Sequence, residues 1–101
     1  MPKGYVITDV TIHDAEPMVR YRELSTAAVA QYGGRFLVRG GSCEILEGDG
    51  SLPERLIVVE FDTVEQAKCF YHSPEYKAAR KFREGAADMK MLLVSGVNNQ
   101  V

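Results

Sequence analysis

"QYGGRFLVRGG", residues 31–41, sets two glycine pairs around a short apolar run bounded by arginines. Glycines and arginines together suit a loop that grips phosphate, and they equally suit punctuation around a strand. Order decides between the two. A phosphate loop runs strand, glycines, helix, because the free N–H groups at a helix N-terminus bind the anion. Here the preceding segment is "DAEPMVRYRELSTAAVAQY", residues 14–32. Its Met18, Tyr21, Leu24 or Ser25, Ala28 and Tyr32 recur at helical spacing. Asp14 stands where a helix is capped, Glu16 falls in the positive first turn, and Pro17 is early enough to be tolerated. The glycines therefore follow a helix and precede the strand "RFLVR", which excludes a phosphate loop. Gly33 is expected to end the helix in a left-handed conformation. Gly40 and Gly41 read as a bulge or bend in a longer extended stretch that resumes as "SCEILEG".

Working outward, "YVITDVTI" (5–12) is rich in β-branched residues and reads as a first strand. "GDGSLPE" (48–54) is dense in turn formers and should close a hairpin. "RLIVVEF" (55–61) does not alternate apolar with polar residues, so both faces of this strand must be covered. Thr63 with Gln66 forms a capping-box pattern, opening a helix with Val64, Ala67, Phe70 and Tyr71 inward. "HSPEYKAARKFREG" (72–85) restarts that helix, with Ser73 as cap, Pro74 at the first position and Gly85 as stop. "MKMLLVSG" (89–96) supplies a last strand.

Strand, helix, strand, strand, helix, strand is the split βαβ, or ferredoxin-like, order. It implies one α+β domain over residues 1–101, a four-stranded antiparallel sheet with its helices on one face. Leu56 with Val58 opposes Ile57 with Val59, and Met91 with Leu93 opposes Leu92 with Val94. Both sheet faces are thus apolar, and no third layer exists in the sequence. A second copy of the chain, pairing sheet to sheet, is the economical cover.

Composition narrows the function classes. The 101 residues are 46% hydrophobic and 26% charged with a formal net charge of −2, so no basic field recruits nucleic acid or anionic lipid. "MPKGYVITDV" has neither the apolar core of a signal peptide nor the length of a membrane span. Cys43 and Cys69 lack metal or redox spacing and sit in otherwise apolar elements, as reduced thiols of a cytoplasmic protein do. His13 and His72 are the two histidines, and neither they nor the cysteines are spaced as a metal set, so no metal and no cofactor is expected. There is no nucleophile elbow and no dinucleotide fingerprint.

The run "YGGRFLVRGG", then "LEG", "ERLIVVEF" and "YHSPEY", resembles the thirteen-thirty domain of unknown function, a group of small bacterial proteins. The resemblance covers nearly the whole chain. It implies a ferredoxin-like subunit that pairs as a dimeric α/β barrel, and it implies no established reaction. Relatives often carry a tryptophan before the hairpin proline, where this chain has Leu52 and no tryptophan anywhere. Wider relatives of the barrel include cofactor-free monooxygenases, haem-binding degradases and stress-response proteins.

Two clusters are candidate sites. The first and third strands are expected to run parallel, which puts Arg39 and Glu60 near one end, as a structural ion pair or as a site where Glu60 is a base and Arg39 holds an anion. The helix after Phe61 then carries His72, Ser73 and Tyr76 to the other end, near Tyr5. There His72 and Tyr76 are the catalytic candidates, Tyr5 and Ser73 the ligand contacts, against a structural role as cap and packing. Any site is expected within one subunit, between sheet and helices, at the helix break "YHSPEY". The function classes are a small cofactor-free enzyme or binder for an apolar or aromatic metabolite, a sensing module, and a structural or stress-related homodimer.

Overall fold

The computed structural model describes residues 1–98. The elements are β1 (Gly4–Ile12), α1 (Ala15–Gln31), β2 (Arg35–Arg39), β3 (Arg55–Phe61), α2 (Val64–His72), α3 (Pro74–Arg83) and β4 (Ala87–Ser95). The sheet order is β2-β3-β1-β4, and every neighbouring pair is antiparallel. The expected ferredoxin-like order is therefore present, with the helical part broken at Ser73. None of the described helices is long and apolar enough to cross a membrane.

Strand direction corrects one expectation. β1 and β3 are antiparallel, pairing Gly4 with Phe61 and Val10 with Arg55. The α1 crossover returns the chain so that β2 runs along β1, and β3 then reverses against β2. β3 must therefore oppose β1.

Each cap has a visible cause. The Asp14 side chain accepts from the Glu16 N–H, and Gly33 follows α1 with φ +77°. Thr63 Oγ1 accepts from the Gln66 N–H at 3.0 Å. The capping box is only half made, because Gln66 Nε2 reaches across to the Tyr32 carbonyl at 2.7 Å and caps the end of α1 instead. Ser73 ends α2, with its Oγ on the Phe70 carbonyl at 2.6 Å, and begins α3 by accepting from the Tyr76 N–H at 3.1 Å. One serine thus turns the chain between two helices.

The extended stretch expected beyond Gly40 is absent. β2 stops at Arg39, and residues 40–54 form a long connection without strand pairing. The bulge lies earlier, between Phe36 and Val38. Cys43, in this connection, and Cys69, on α2, are both exposed, not enclosed among apolar neighbours.

The core lies between the helices and the inward face of the sheet. Val6, Val10, Val59 and Phe61 meet Met18, Tyr21, Ala28 and Val29 of α1, with Phe70, Tyr76 and Ala79 from the other helices. Alanines on the facing surfaces let the helices approach closely. Within this core the hydroxyls of Tyr21 and Tyr76 share a hydrogen bond of 2.8 Å, with their rings edge to face at 6.2 Å. A buried hydroxyl without a partner is costly, so each tyrosine satisfies the other and joins α1 to α3.

Two stability outcomes are expected. Gly33→Ala should cost about 1–2 kcal/mol, since the left-handed backbone disfavours a side chain and the new Cβ would run into the Gln66 amide. An unchanged denaturation midpoint would place the cap elsewhere. Tyr76→Phe should cost about 1–2 kcal/mol by leaving the Tyr21 hydroxyl unpaired. Adding Tyr21→Phe should then cost less than the sum of the single changes by about 0.5 kcal/mol or more, whereas additive losses would show the hydroxyls uncoupled.

Candidate functional site

The inward face of the sheet does not pack α1 completely. A cavity of about 60 Å³ remains, walled by Val6, Val10, Phe36, Ile57, Val59 and Phe70. Met18, Met89 and Met91 complete the apolar wall, and the hydroxyl-bearing Thr8, Tyr21, Ser25 and Tyr76 face the same space. Water's share of liquid volume is about 30 Å³, so this cavity has room for two waters. Methionines are the side chains most able to shift and widen it.

Three guanidiniums stand at this cavity, those of Arg22, Arg39 and Arg55. Arg39 reaches it because of the bulge. Strict alternation from the inward Phe36 would turn Val38 inward and Arg39 outward. With Leu37 left out of the pairing, Val38 sits opposite Val58 and Arg39 opposite Ile57, an inward residue. Arg39 Nη2 donates to Thr26 Oγ1 at 2.5 Å, and its guanidinium stacks on the Phe36 ring at 4.0 Å. Burial, with Arg22 and Arg55 nearby, pulls the Arg39 pKa below the usual guanidinium range.

The tyrosine pair supplies hydrogen-bond donors. Burial holds the Tyr21 phenol well above the ordinary range, reinforced by Tyr76. Burial likewise raises Tyr76. Both are neutral at physiological pH and act as donors, not as bases. When Tyr21 donates to Tyr76, the Tyr76 proton faces the Met91 thioether at 3.9 Å. Sulfur is a weak acceptor, so a ligand oxygen in the cavity would take that proton more strongly.

The residues singled out from the sequence divide differently from expectation. Arg39 and Glu60 do not share an end, because antiparallel pairing puts Arg39 beside Ile57 and Arg35 beside Glu60. Glu60 instead accepts from the Tyr5 hydroxyl at 2.8 Å and from Arg35 Nε at 2.7 Å. Those bonds, Tyr5 foremost, hold its carboxyl below the usual range. A carboxylate so occupied is a poor base. Tyr5 is therefore not beside His72 and Tyr76. Its neighbour Val6 faces the helices, so period-two alternation turns Tyr5 to the open face. Ser73 is buried and spends its hydroxyl on the chain turn. His72 is exposed and lines a second depression of about 400 Å³ with Lys68, Leu92 and Leu93 at the β4 edge, which shares Val6 and Met91 with the inner cavity. Of the six candidates, Arg39 and Tyr76 come together at the inner cavity.

Tyr21, Arg22 and Arg55 were not anticipated. Tyr21 was visible only as part of an apolar helical stripe. Arg55 carried a usable mark, since it shares the parity of Ile57 and Val59 and so lies on the inward face. His13 bonds Asp88 Oδ2 at 2.8 Å on the surface, away from the cavity.

Solved structures share this fold. A protein of unknown function from Rhodopseudomonas palustris superposes with a TM-score of 0.75 at 18% identity, over 96% of this chain and 84% of the other. A Nitrosomonas europaea protein provisionally assigned as an antibiotic biosynthesis monooxygenase gives 0.58 at 13% identity, over 95% and 99% of the two chains. A dimeric Bacteroides fragilis protein of unknown function, with a ferredoxin-like fold, gives 0.57 at 15% identity, over 92% and 95%. No curated protein matches the sequence. A family model does match, over residues 3–97. The chain belongs to the family described as Domain of unknown function (DUF1330).

Proposed function

We propose that this protein binds a small apolar or aromatic metabolite in the cavity between α1 and the sheet, and that it does so as a homodimer. The observation that carries the binding reading is the composition of that cavity. Apolar and methionine walls surround neutral tyrosine donors, and three arginines share the lining. Ligand pockets of this kind combine a mostly apolar lining with a few convergent polar groups. Arg39 and Tyr76 are the contacts retained from the sequence candidates, with Tyr21 added. In a catalytic version of the same reading, no cofactor takes part, and the tyrosine pair donates to an oxygen of the substrate as charge builds on it. The Nitrosomonas europaea neighbour shares the fold with this chain, and fold alone does not carry its chemistry over.

The dimer reading rests on the other sheet face. Ile7, Leu56, Val58, Leu92 and Val94 point away from the helices by their register, and Leu92 and Val94 are 48% and 41% exposed. The single chain exposes 6590 Å², against about 5,700 Å² for a compact monomer of this mass. The Bacteroides fragilis neighbour is described as dimeric. Pairing of two such faces would bury an area in the obligate range, about 2,000 Å² or more.

The second reading, a structural homodimer without a ligand, draws on the cavity's small size. About 150 Å³ accommodates benzene, so a ring enters this cavity only if the methionines move. Methionine methyl NMR separates the two readings. Met18, Met89 and Met91 line the cavity, while Met1 is 84% exposed and remote from it. Titration with phenol, benzoate and isovalerate should shift the three cavity methyls for at least one compound and leave Met1 in place. Cavity methyls that stay fixed for all three would make the interior a filled core and favour the structural dimer.

A further inference from the structure

Among the described residues, the arginines at the cavity form no ion pair. Arg20 pairs with Glu23 and Arg35 with Glu60 and Asp62. No described carboxylate pairs with Arg22, Arg39 or Arg55, although all three line the same cavity. Three like charges in a partly enclosed space repel one another, and such an arrangement is retained at a cost unless something anionic relieves it. One of the three is also held in place. Arg39 is fixed between Thr26 Oγ1 and the Phe36 ring. Arg55 lies over Gly40, where a Cβ would fall 2.7 Å from its Cζ and where φ is +74°. Glycine at that position leaves room for the guanidinium. Guanidiniums fixed in this way retain most of their five N–H donors for another group.

We infer that the ligand of this pocket carries a carboxylate, gripped by Arg22, Arg39 and Arg55, with its apolar part in the cavity. This rests on the binding reading above and names the class of ligand for the same site. The geometry matches the chemistry of such a molecule. A carboxylate has two oxygens that suit the planar donor fork of arginine, while its apolar remainder has only the methionine-lined space to enter. A bound anion would offset the burial and the neighbouring guanidiniums that lower the Arg39 pKa. The bulge at Leu37 acquires a purpose here, because it is what turns Arg39 to this side of the sheet.

Paired ligands of equal shape test the inference. Methionine methyl shifts are followed with benzoate and with benzamide, its neutral counterpart, on the full chain. Benzoate should bind at least tenfold more tightly, and the preference should shrink as salt is raised. Arg39→Gln should bring the two affinities within about twofold of each other by removing a central donor. Arg22→Gln, at an exposed helical position, provides a second variant whose folding is not in question and should reduce the preference severalfold. Equal affinity for benzoate and benzamide in the unmodified protein would overturn the carboxylate inference and leave the pocket reading standing. A benzoate preference that survives in Arg22→Gln and Arg39→Gln would overturn it too. If neither compound moves the cavity methyls, the pocket reading itself fails and the inference falls with it.

Discussion

β3 is apolar on both of its faces, and the rest of the molecule is arranged around that constraint. Val59 and Phe61 point toward the helices and are almost wholly buried, while Leu56 and Val58 point the other way. A central strand cannot leave either set in water without a cost of about 25 cal/mol per Å² of apolar surface. The helices meet the first demand. No described residue outside the sheet meets the second, and the molecule is only two layers deep, its narrowest extent being 16 Å. The Tyr5–Glu60–Arg35 network also lies on this uncovered side. In the proposed dimer those residues fall at the edge of the paired surface, and their strong mutual bonds leave little for chemistry.

The helix-facing side has a different character because its packing is incomplete where the polar groups gather. Alanines draw α1 and α3 together at one level, and the tyrosine hydroxyl pair holds them at another. Between them and the sheet lies the methionine-walled cavity. Two local irregularities equip it. The break at Ser73 seats Tyr76 against Tyr21, and the bulge at Leu37 turns Arg39 inward. Departures from regular structure concentrate where a protein binds something.

Much of the fold was legible in the sequence because it depends on local signals. Asp14, Gly33, Thr63, Ser73 and Pro74 each act within one turn of backbone, and the unalternating "RLIVVEF" announced a strand apolar on both faces. The candidate site was less legible, because it depends on register. Treating β1 and β3 as parallel moved Glu60 toward Arg39 and Tyr5 toward His72. Placing the bulge at Gly40–Gly41 instead of Leu37 hid the reason Arg39 points inward. A shift of one residue exchanges the two faces of a strand, and no composition or motif reports such a shift. Gln66 shows the same limit at smaller scale. Its sequence position fits a capping box, yet the better acceptor is the Tyr32 carbonyl, brought near only by tertiary packing.

The central claim is that the apolar sheet face is covered by a second copy of the chain. Light scattering coupled to gel filtration at micromolar concentration tests this most directly. The subunit is 11.2 kDa, so the expected species is about 22 kDa, and Val58→Glu, which puts a charge at the centre of the paired face, should convert it to monomer or unfold it. A stable species near 11 kDa in the unmodified protein would contradict the account.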